Sequence, residues 1–347
     1  MTIEPVLSVK DLRTHFHTDR GVVRAVDGVS FDIFPGEVVG IVGESGSGKS
    51  VTAMTILGLV PTPPARIESG QVLWKGKDLL TATPAELRGI RGRQIAMIFQ
   101  DPMSSLNPVY TIGNQIEEMI HVHQNLSKKA ARTKAIEMLA LVGIPKPADR
   151  VDDSPHQFSG GMRQRAMIAM ALSCEPELLM CDDPTTALDV TVQAQVLDVI
   201  QSSAKQLGAS ILLITHDLGV VAGMTDRVLV MYGGQIVEQA HVEDLFYSPQ
   251  RPYTWGLLSS IPRVDDAVGR RLVPIPGAPP LMSRPPAGCR FSPRCAFMTP
   301  GLCDSAIPEL MEISGVGVDH LARCARLAEA GFASNAPTFS AASGVSQ

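Results

Sequence analysis

The chain has no uninterrupted apolar run of the ~18 residues needed to span a bilayer, so any work at a membrane would need docking onto another protein there. It also has no excess of positive charge. A formal net charge of -5 argues against nucleic-acid binding by bulk charge and leaves room only for a local basic patch. The opening MTIEPVLSVK contains no basic stretch leading into an apolar one, so we expect no signal peptide. No whole unit repeats in tandem. Cysteine is scarce before residue 289: only Cys174 and Cys181 occur, each in apolar surroundings where it reads as a small buried hydrophobe. The other four, Cys289, Cys295, Cys303 and Cys324, crowd into about the last sixty residues and need their own explanation.

Hydrophobic residues at 45% and charged residues at 19% describe an ordinary globular core, and 347 residues suit one large domain with a small one, or two medium domains. Residues 5 to 42 read as short strands, with Pro35-Gly36 as a turn, and a helix is predicted from about Lys49 to Leu59. RQIAMIFQD reads as a buried strand, and the apolar spacing from about Thr111 to Val142 is helical, as in an insert. GGMRQRAMIAMALSCEP and TVQAQVLDVIQSSAKQLG read as helices, ELLMCDD and SILLITHD as strands. This alternation implies a mainly parallel sheet covered on both faces. Six prolines between Pro274 and Pro286 predict an extended, stiff linker, and the tail ASNAPTFSAASGVSQ lacks periodicity and is expected to be mobile.

GESGSGKS, residues 43–50, fits G-x-x-x-x-G-K-[ST] between a predicted strand and a predicted helix. Glycines there let backbone amides turn inward onto phosphate oxygens, and the helix N-terminus adds favourable partial charge. Ser45, Gly46, Ser47, Gly48, Lys49 and Ser50 of this stretch, with Val51 after it, are the expected phosphate-binding residues; Lys49 reaches the β- and γ-phosphates, and Ser50 can ligate magnesium. The chain is therefore expected to bind a nucleoside triphosphate. FSGGMRQR presents Ser159, Gly160 and Gly161 at a further helix start, about a hundred residues on. One nucleotide does not need two such cradles from one chain, unless the second serves a nucleotide held by a partner.

From about residue 5 to residue 250 the sequence resembles the ATP-binding cassette (ABC) family. FSGGM is similar to its signature motif, usually LSGGQ, with Met162 in place of glutamine. Gln100 in IFQD matches the Q-loop, Asp189 in TALD the D-loop, and His216 in LLITHDL the switch histidine. Phe16 stands where the family places a ring under adenine. The resemblance implies a P-loop NTPase α/β fold with a mainly parallel sheet core, an antiparallel β subdomain and a helical subdomain at about 105–172. It also implies ATP with Mg2+, the ion touched by Ser50, Gln100 and Asp182, and two cassettes closing head to tail over two ATP molecules.

Asp182 ends its predicted strand as the magnesium acid. The family usually follows it with a glutamate that orients or deprotonates the attacking water, and Asp183 is one methylene shorter, by roughly 1 Å. A tolerated substitution, a slow regulated site, and a site that binds ATP while a partner hydrolyses are the three readings. FSGGM keeps the serine and both glycines that the third requires, and we expect an asymmetric pair of non-identical ATPase subunits. The wording of several segments, and above all SPQRPYTWGLLSSIPR and PIPGAPP, resembles the ATPase subunits of oligopeptide and dipeptide importers. Such systems have two transmembrane permease subunits and an extracytoplasmic binding protein, with the ATPase at the cytoplasmic face of the inner membrane. Relatives carry nickel or oligosaccharides. The rival class is a soluble regulatory, ribosome- or DNA-associated cassette protein, which usually has two cassettes or a long coiled coil; neither is present, and no nucleic-acid partner is expected.

The four C-terminal cysteines are spaced C-x5-C-x7-C-x20-C. A disulfide framework suits a chain without an export signal poorly, and metal binding reads better. Zinc more often uses tighter C-x2-4-C knuckles; four thiolates on open loops also suit a [4Fe–4S] cluster. Arg290, Arg294 and Arg323 each adjoin a cysteine and are expected to lower thiol pKa values and offset thiolate charge. The family resemblance favours the cluster, with zinc as the alternative. The expected domains are an ABC nucleotide-binding domain over 1–262, the linker over 263–288, a small cysteine-rich domain over 289–328, and the tail over 329–347.

Overall fold

The computed structural model describes residues 3–100, 106–185, 189–260, 274–313, 315–317, 319–329 and 331–337. In chain order the strands are β1 (Leu7–Thr18), β2 (Gly21–Ile33), β3 (Val38–Val42), β4 (Ala65–Trp74), β5 (Lys77–Asp78), β6 (Ile95–Ile98), β7 (Leu178–Asp182), β8 (Ser210–Thr215), β9 (Arg227–Tyr232), β10 (Gln235–His241), β11 (Met311–Glu312) and β12 (Leu321–Ala322). The α-helices are α1 (Lys49–Ile56), α2 (Pro84–Ile90), α3 (Ile112–Gln124), α4 (Lys128–Leu141), α5 (Pro147–Arg150), α6 (Gly160–Leu172), α7 (Val190–Leu207), α8 (Leu218–Met224), α9 (Val242–Tyr247) and α10 (Pro252–Ser259). Two compact units result, the first mainly 73–214 with 1–8 and 32–38, the second 9–31, 39–72 and 215–347.

In the first unit β6, β7 and β8 run parallel, with Leu178 opposite both Ile95 and Ser210. LLMCD and SILLIT are buried at every position, the near-continuous apolar run of a strand covered on both faces. Cys174 and Cys181 are both buried here, as expected of small hydrophobes. The helical insert begins with α3, whose Ile112, Ile116 and Ile120 repeat every fourth residue and are all buried. The helical stretch across Thr111–Val142 is two helices: Asn125 takes left-handed backbone and ends α3, and Ser127 accepts from the Ala130 amide to start α4. Helices α3, α4 and α6 pack on one another, and α6 also meets α7 and β6.

In the second unit β2, β1 and β4 lie side by side. Separately, β9 pairs parallel to β3 and antiparallel to β10, and β10 continues through β12 to β11. The cysteine-rich segment therefore does not stand apart as a unit of its own. Its strand β12 hydrogen-bonds to β10, and Phe291 joins the core of Val230, Tyr232, Val237 and Tyr253. The ring centroids of Tyr232, Tyr253 and Phe291 lie 4.5 to 5.3 Å apart. Of the expected linker, 263–273 falls outside the described residues, and Ile275 packs against this core. The last ten residues of the expected tail also fall outside them. Among the described residues no helix is long and apolar enough to cross a membrane.

The junction between β10 and the C-terminal segment is polar and closed to solvent. Glu238, at a bulge in β10, is 0% exposed, as is His320. Its carboxylate accepts from the Gln250 amide at 2.6 Å, from Thr254 Oγ1 at 2.5 Å, and pairs with His320 Nε2 at 2.9 Å. A buried carboxylate survives because each of these partners replaces water; removing one leaves charge without compensation. His320→Ala should therefore cost about 3 kcal/mol, read as a lower urea midpoint in equilibrium unfolding followed by intrinsic fluorescence. A change below about 0.5 kcal/mol would show that this junction does not hold the segment in place.

Candidate functional site

In the second unit the loop between β3 and α1 is shaped by close backbone contacts. A Cβ on Gly43 would lie 2.1 Å from the Met231 carbonyl oxygen, and one on Gly48 would lie 2.2 Å from that of Ala25. Both residues also have positive φ, at 152° and 109°, so only glycine fits at either end of the turn. Helix α1 starts at Lys49, after Gly48, with no side-chain cap. Lys49 is 7% exposed and folds back over the turn, its Nζ donating to the carbonyls of Gly43 at 2.7 Å and Glu44 at 3.1 Å. Ser47 Oγ is buried without a hydrogen-bond partner among the described residues, as expected of a group that completes its bonding with a ligand. Ser45 and Gly46 are exposed, and Ser50 and Val51 are half-buried at the helix start. These residues present an anion site with a cation beside it.

Phe16, on β1 of the same unit, is half-buried. His216 is exposed after β8, directly before Asp217, which caps α8 by accepting from the Gly219 and Val220 amides.

The first unit holds the other residues singled out in the sequence. Asp182 ends β7 and is 9% exposed. Asp183 is half-buried, and its amide donates to the Ile214 carbonyl at 2.8 Å. Its φ of 44° is left-handed, a conformation aspartate adopts several-fold more readily than most side chains. Ser159 and Gly160 are exposed at the start of α6, where Ser159 Oγ accepts from the Met162 amide at 3.3 Å. Gly161 lies close to Val192 of α7, and Met162 is half-buried. Asp189 is exposed and caps α7 through the Val192 amide at 2.9 Å. Buried Gln164, which the motif reading passed over, donates from Nε2 to the Pro184 carbonyl and so ties the glycine-rich helix start to the turn after Asp183. Gln100 is exposed after β6, and residues 101–105 and 186–188 lie outside the described residues.

The four clustered cysteines meet in the second unit. All four line one small void of about 20 Å3, with Arg251, Phe291 and Phe297 also at its wall. Each sulfur accepts an N–H: Cys289 from Arg251 Nη2 at 3.4 Å, Cys303 from the Thr299 amide at 3.4 Å, Cys295 from the Phe297 backbone, and Cys324 from the Arg326 backbone. Among the described residues no group of three or more His, Cys, Asp or Glu side chains is arranged to hold a metal ion. The expectation for the neighbouring arginines is corrected by the structure. Arg290 donates to the Gly233 carbonyl and Asp27, Arg294 to Glu44, and Arg323 to the carbonyls of Ile236 and Pro308. A cation that does reach a thiol is Arg251, distant in sequence, through Cys289. Burial pushes the Cys295 thiol up to about 11 and raises that of Cys324 as well.

Comparison with known proteins places these features. Residues 26–186 match the ABC transporter family, and residues 237–303 match the C-terminal region of oligopeptide/dipeptide transporters. The dipeptide transport ATP-binding protein DppD of Bacillus subtilis is 53% identical over 306 residues, 88% of this chain and 91% of that protein. The oligopeptide transport ATP-binding protein OppD of the same organism is 52% identical, covering 84% of this chain and 82% of that one. Among solved structures, the dimeric bacterial ABC transporter cassette MJ0796 superposes with a TM-score of 0.60 at 26% identity, over 68% of this chain and 98% of that chain. The glycine-bound anion loop, the acid-tipped strand and these matches agree: the chain belongs to the ATP-hydrolysing subunits of the ABC transporter family, in the group that carries the oligopeptide/dipeptide transporter C-terminal region.

Proposed function

We propose that the chain energises import of di- or oligopeptides from the cytoplasmic face of the inner membrane, docked on two permease subunits that receive substrate from an extracytoplasmic binding protein. The observation that carries this reading is the match over 237–303, a region named for oligopeptide and dipeptide transporters. In this reading the 45–51 stretch binds the phosphates, and Ser50, Gln100 and Asp182 hold Mg2+. Phe16 stacks on adenine, His216 contacts the γ-phosphate, and Asp189 lies at the subunit seam. The partner is a second, non-identical ATPase subunit, and Ser159, Gly160, Gly161 and Met162 complete the nucleotide site on that partner.

Asp183 then serves a site that holds ATP more than it turns it over. Its carboxylate falls roughly 1 Å short of a glutamate's. Support for the partner-directed role comes from the exposed start of α6, where Ser159 and Gly160 face solvent. Turnover by the assembled transporter is expected to fall by less than about threefold in Asp183→Asn, and by more than about a hundredfold in Gly160→Asp, which puts a carboxylate at a cradle built for anions. A collapse in Asp183→Asn instead would place hydrolysis at this chain's own acid.

We further infer that Cys289, Cys295, Cys303 and Cys324 ligate a [4Fe–4S] cluster. Four thiols on one void, each with an N–H donor, suit a buried thiolate centre. Thiolates around a single zinc stand only about 3.8 Å apart, and a cluster spreads its ligands wider, so zinc is the alternative that metal content decides. When bound, the cluster would cross-link the loops around 289–303 and 324. Chain purified without oxygen should carry about four iron atoms and a broad visible absorption, both lost in Cys303→Ser. One zinc per chain and no visible band would reverse the assignment.

A further inference from the structure

We propose that Arg294 is a positioning residue for nucleotide binding, holding the phosphate loop in its binding shape through Glu44. This rests on the ATP site just described but on none of its assigned catalytic groups. Arg294 donates from Nη1 to Glu44 Oε2 at 2.6 Å and from Nη2 to Glu44 Oε1 at 3.0 Å, a two-pronged pair. Arg294 is itself fixed: Nη1 reaches Tyr232 Oη at 3.2 Å, Nε the Pro276 carbonyl at 2.8 Å, and Nη2 the Ile275 carbonyl at 3.3 Å. Its side chain is 5% exposed and that of Glu44 25%, so water screens the pair weakly.

Glu44 is the second residue of the phosphate loop. Its amide donates to Tyr253 Oη at 3.0 Å, and its carbonyl accepts both Lys49 Nζ and the Ser47 amide. Glu44, which anchors Lys49, is thus held through its amide by buried Tyr253 and through its carboxylate by Arg294, itself bonded to buried Tyr232. A second tether runs to the other side of the loop. Arg290 donates to the Gly233 carbonyl, and the next amide, Gly234, donates to the Ser47 carbonyl at 2.8 Å. Residues 290 and 294 each adjoin a cysteine of the clustered four, so the cysteine centre and the phosphate loop share one short, rigid connection.

The test is MgATP binding by the full-length chain, measured calorimetrically for wild type, Arg294→Gln, Glu44→Gln and the double variant, with unfolding midpoints taken without nucleotide. Each single variant should weaken ATP by about tenfold, the size of one charge-assisted pair, and the double variant should be no weaker than the worse single. Arg294→Lys, which keeps the charge but not the fork, should recover only part of the loss. In the assembled transporter, KM for ATP in Arg294→Gln should rise by about tenfold while kcat changes less than about threefold. Affinities within about twofold of wild type, or single losses that multiply in the double variant, would overturn the proposal. If Arg294→Gln does not fold, Glu44→Gln decides alone: unchanged affinity sinks the idea and a tenfold loss supports it.

Discussion

A loop that turns its backbone amides toward a phosphate cannot use those amides to hold itself together. Its shape must come from outside, and that constraint organises the second unit. Gly43 and Gly48 let the carbonyls of Met231 and Ala25 press against the turn, at distances no Cβ would permit. The Gly234 amide takes the Ser47 carbonyl, Tyr253 takes the Glu44 amide, and Arg294 takes the Glu44 carboxylate. Among the described residues Ser47 Oγ remains buried without a partner, a group that a bound phosphate would satisfy.

The bracing groups are themselves buried and polar, so the cost passes to the C-terminal segment. Arg294 and Arg290 can be taken from water only because Glu44, Asp27 and backbone carbonyls accept their hydrogen bonds. Burial alone would raise the Asp27 pKa, yet Arg290 and Arg13 outweigh it and hold the carboxyl below the ordinary aspartate value. Its ionised form therefore stabilises the fold at pH above 3.8 and loses that contribution as pH falls through the lowered native value. The segment that closes over the cysteines is thus fastened by ion pairs to the same strands and loop that the nucleotide needs.

How much of this the sequence disclosed follows from the range of each interaction. The strand-to-helix turn before Lys49, the acid that ends β7 and the Ser159 helix start are local: residue types at short spacing dictate them, and these elements lie where the sequence placed them. The buried strands followed from their apolar runs. The break at Asn125 was missed because the apolar spacing continues across it, and only a left-handed residue and a serine cap interrupt the helix. Arg294 and Glu44 are 250 positions apart, and no periodicity links them. The reading of the arginines erred for a related reason. Successive side chains in extended or tightly turning chain point to different sides, so the residue beside a cysteine tends to face away from its sulfur. Arg251, which does reach Cys289, had no mark in the sequence.

The second aspartate is where local and global demands meet. Read along the sequence, Asp183 is a carboxylate one methylene too short. Read in the fold, it sits at φ 44° immediately after a fully buried strand, pinned by its amide to the Ile214 carbonyl. A short acid suits left-handed backbone better than a long one, because its carboxylate can bond to nearby backbone. The turn beyond it is held in turn by Gln164 of α6, the helix whose exposed start carries Ser159 and Gly160. Any shift of the Asp183 peptide that lengthened its reach would pull on Pro184, and through Gln164 on that helix. The turn that carries Asp183 and the helix that presents the glycine-rich start are therefore linked through one hydrogen bond, so neither can shift without the other.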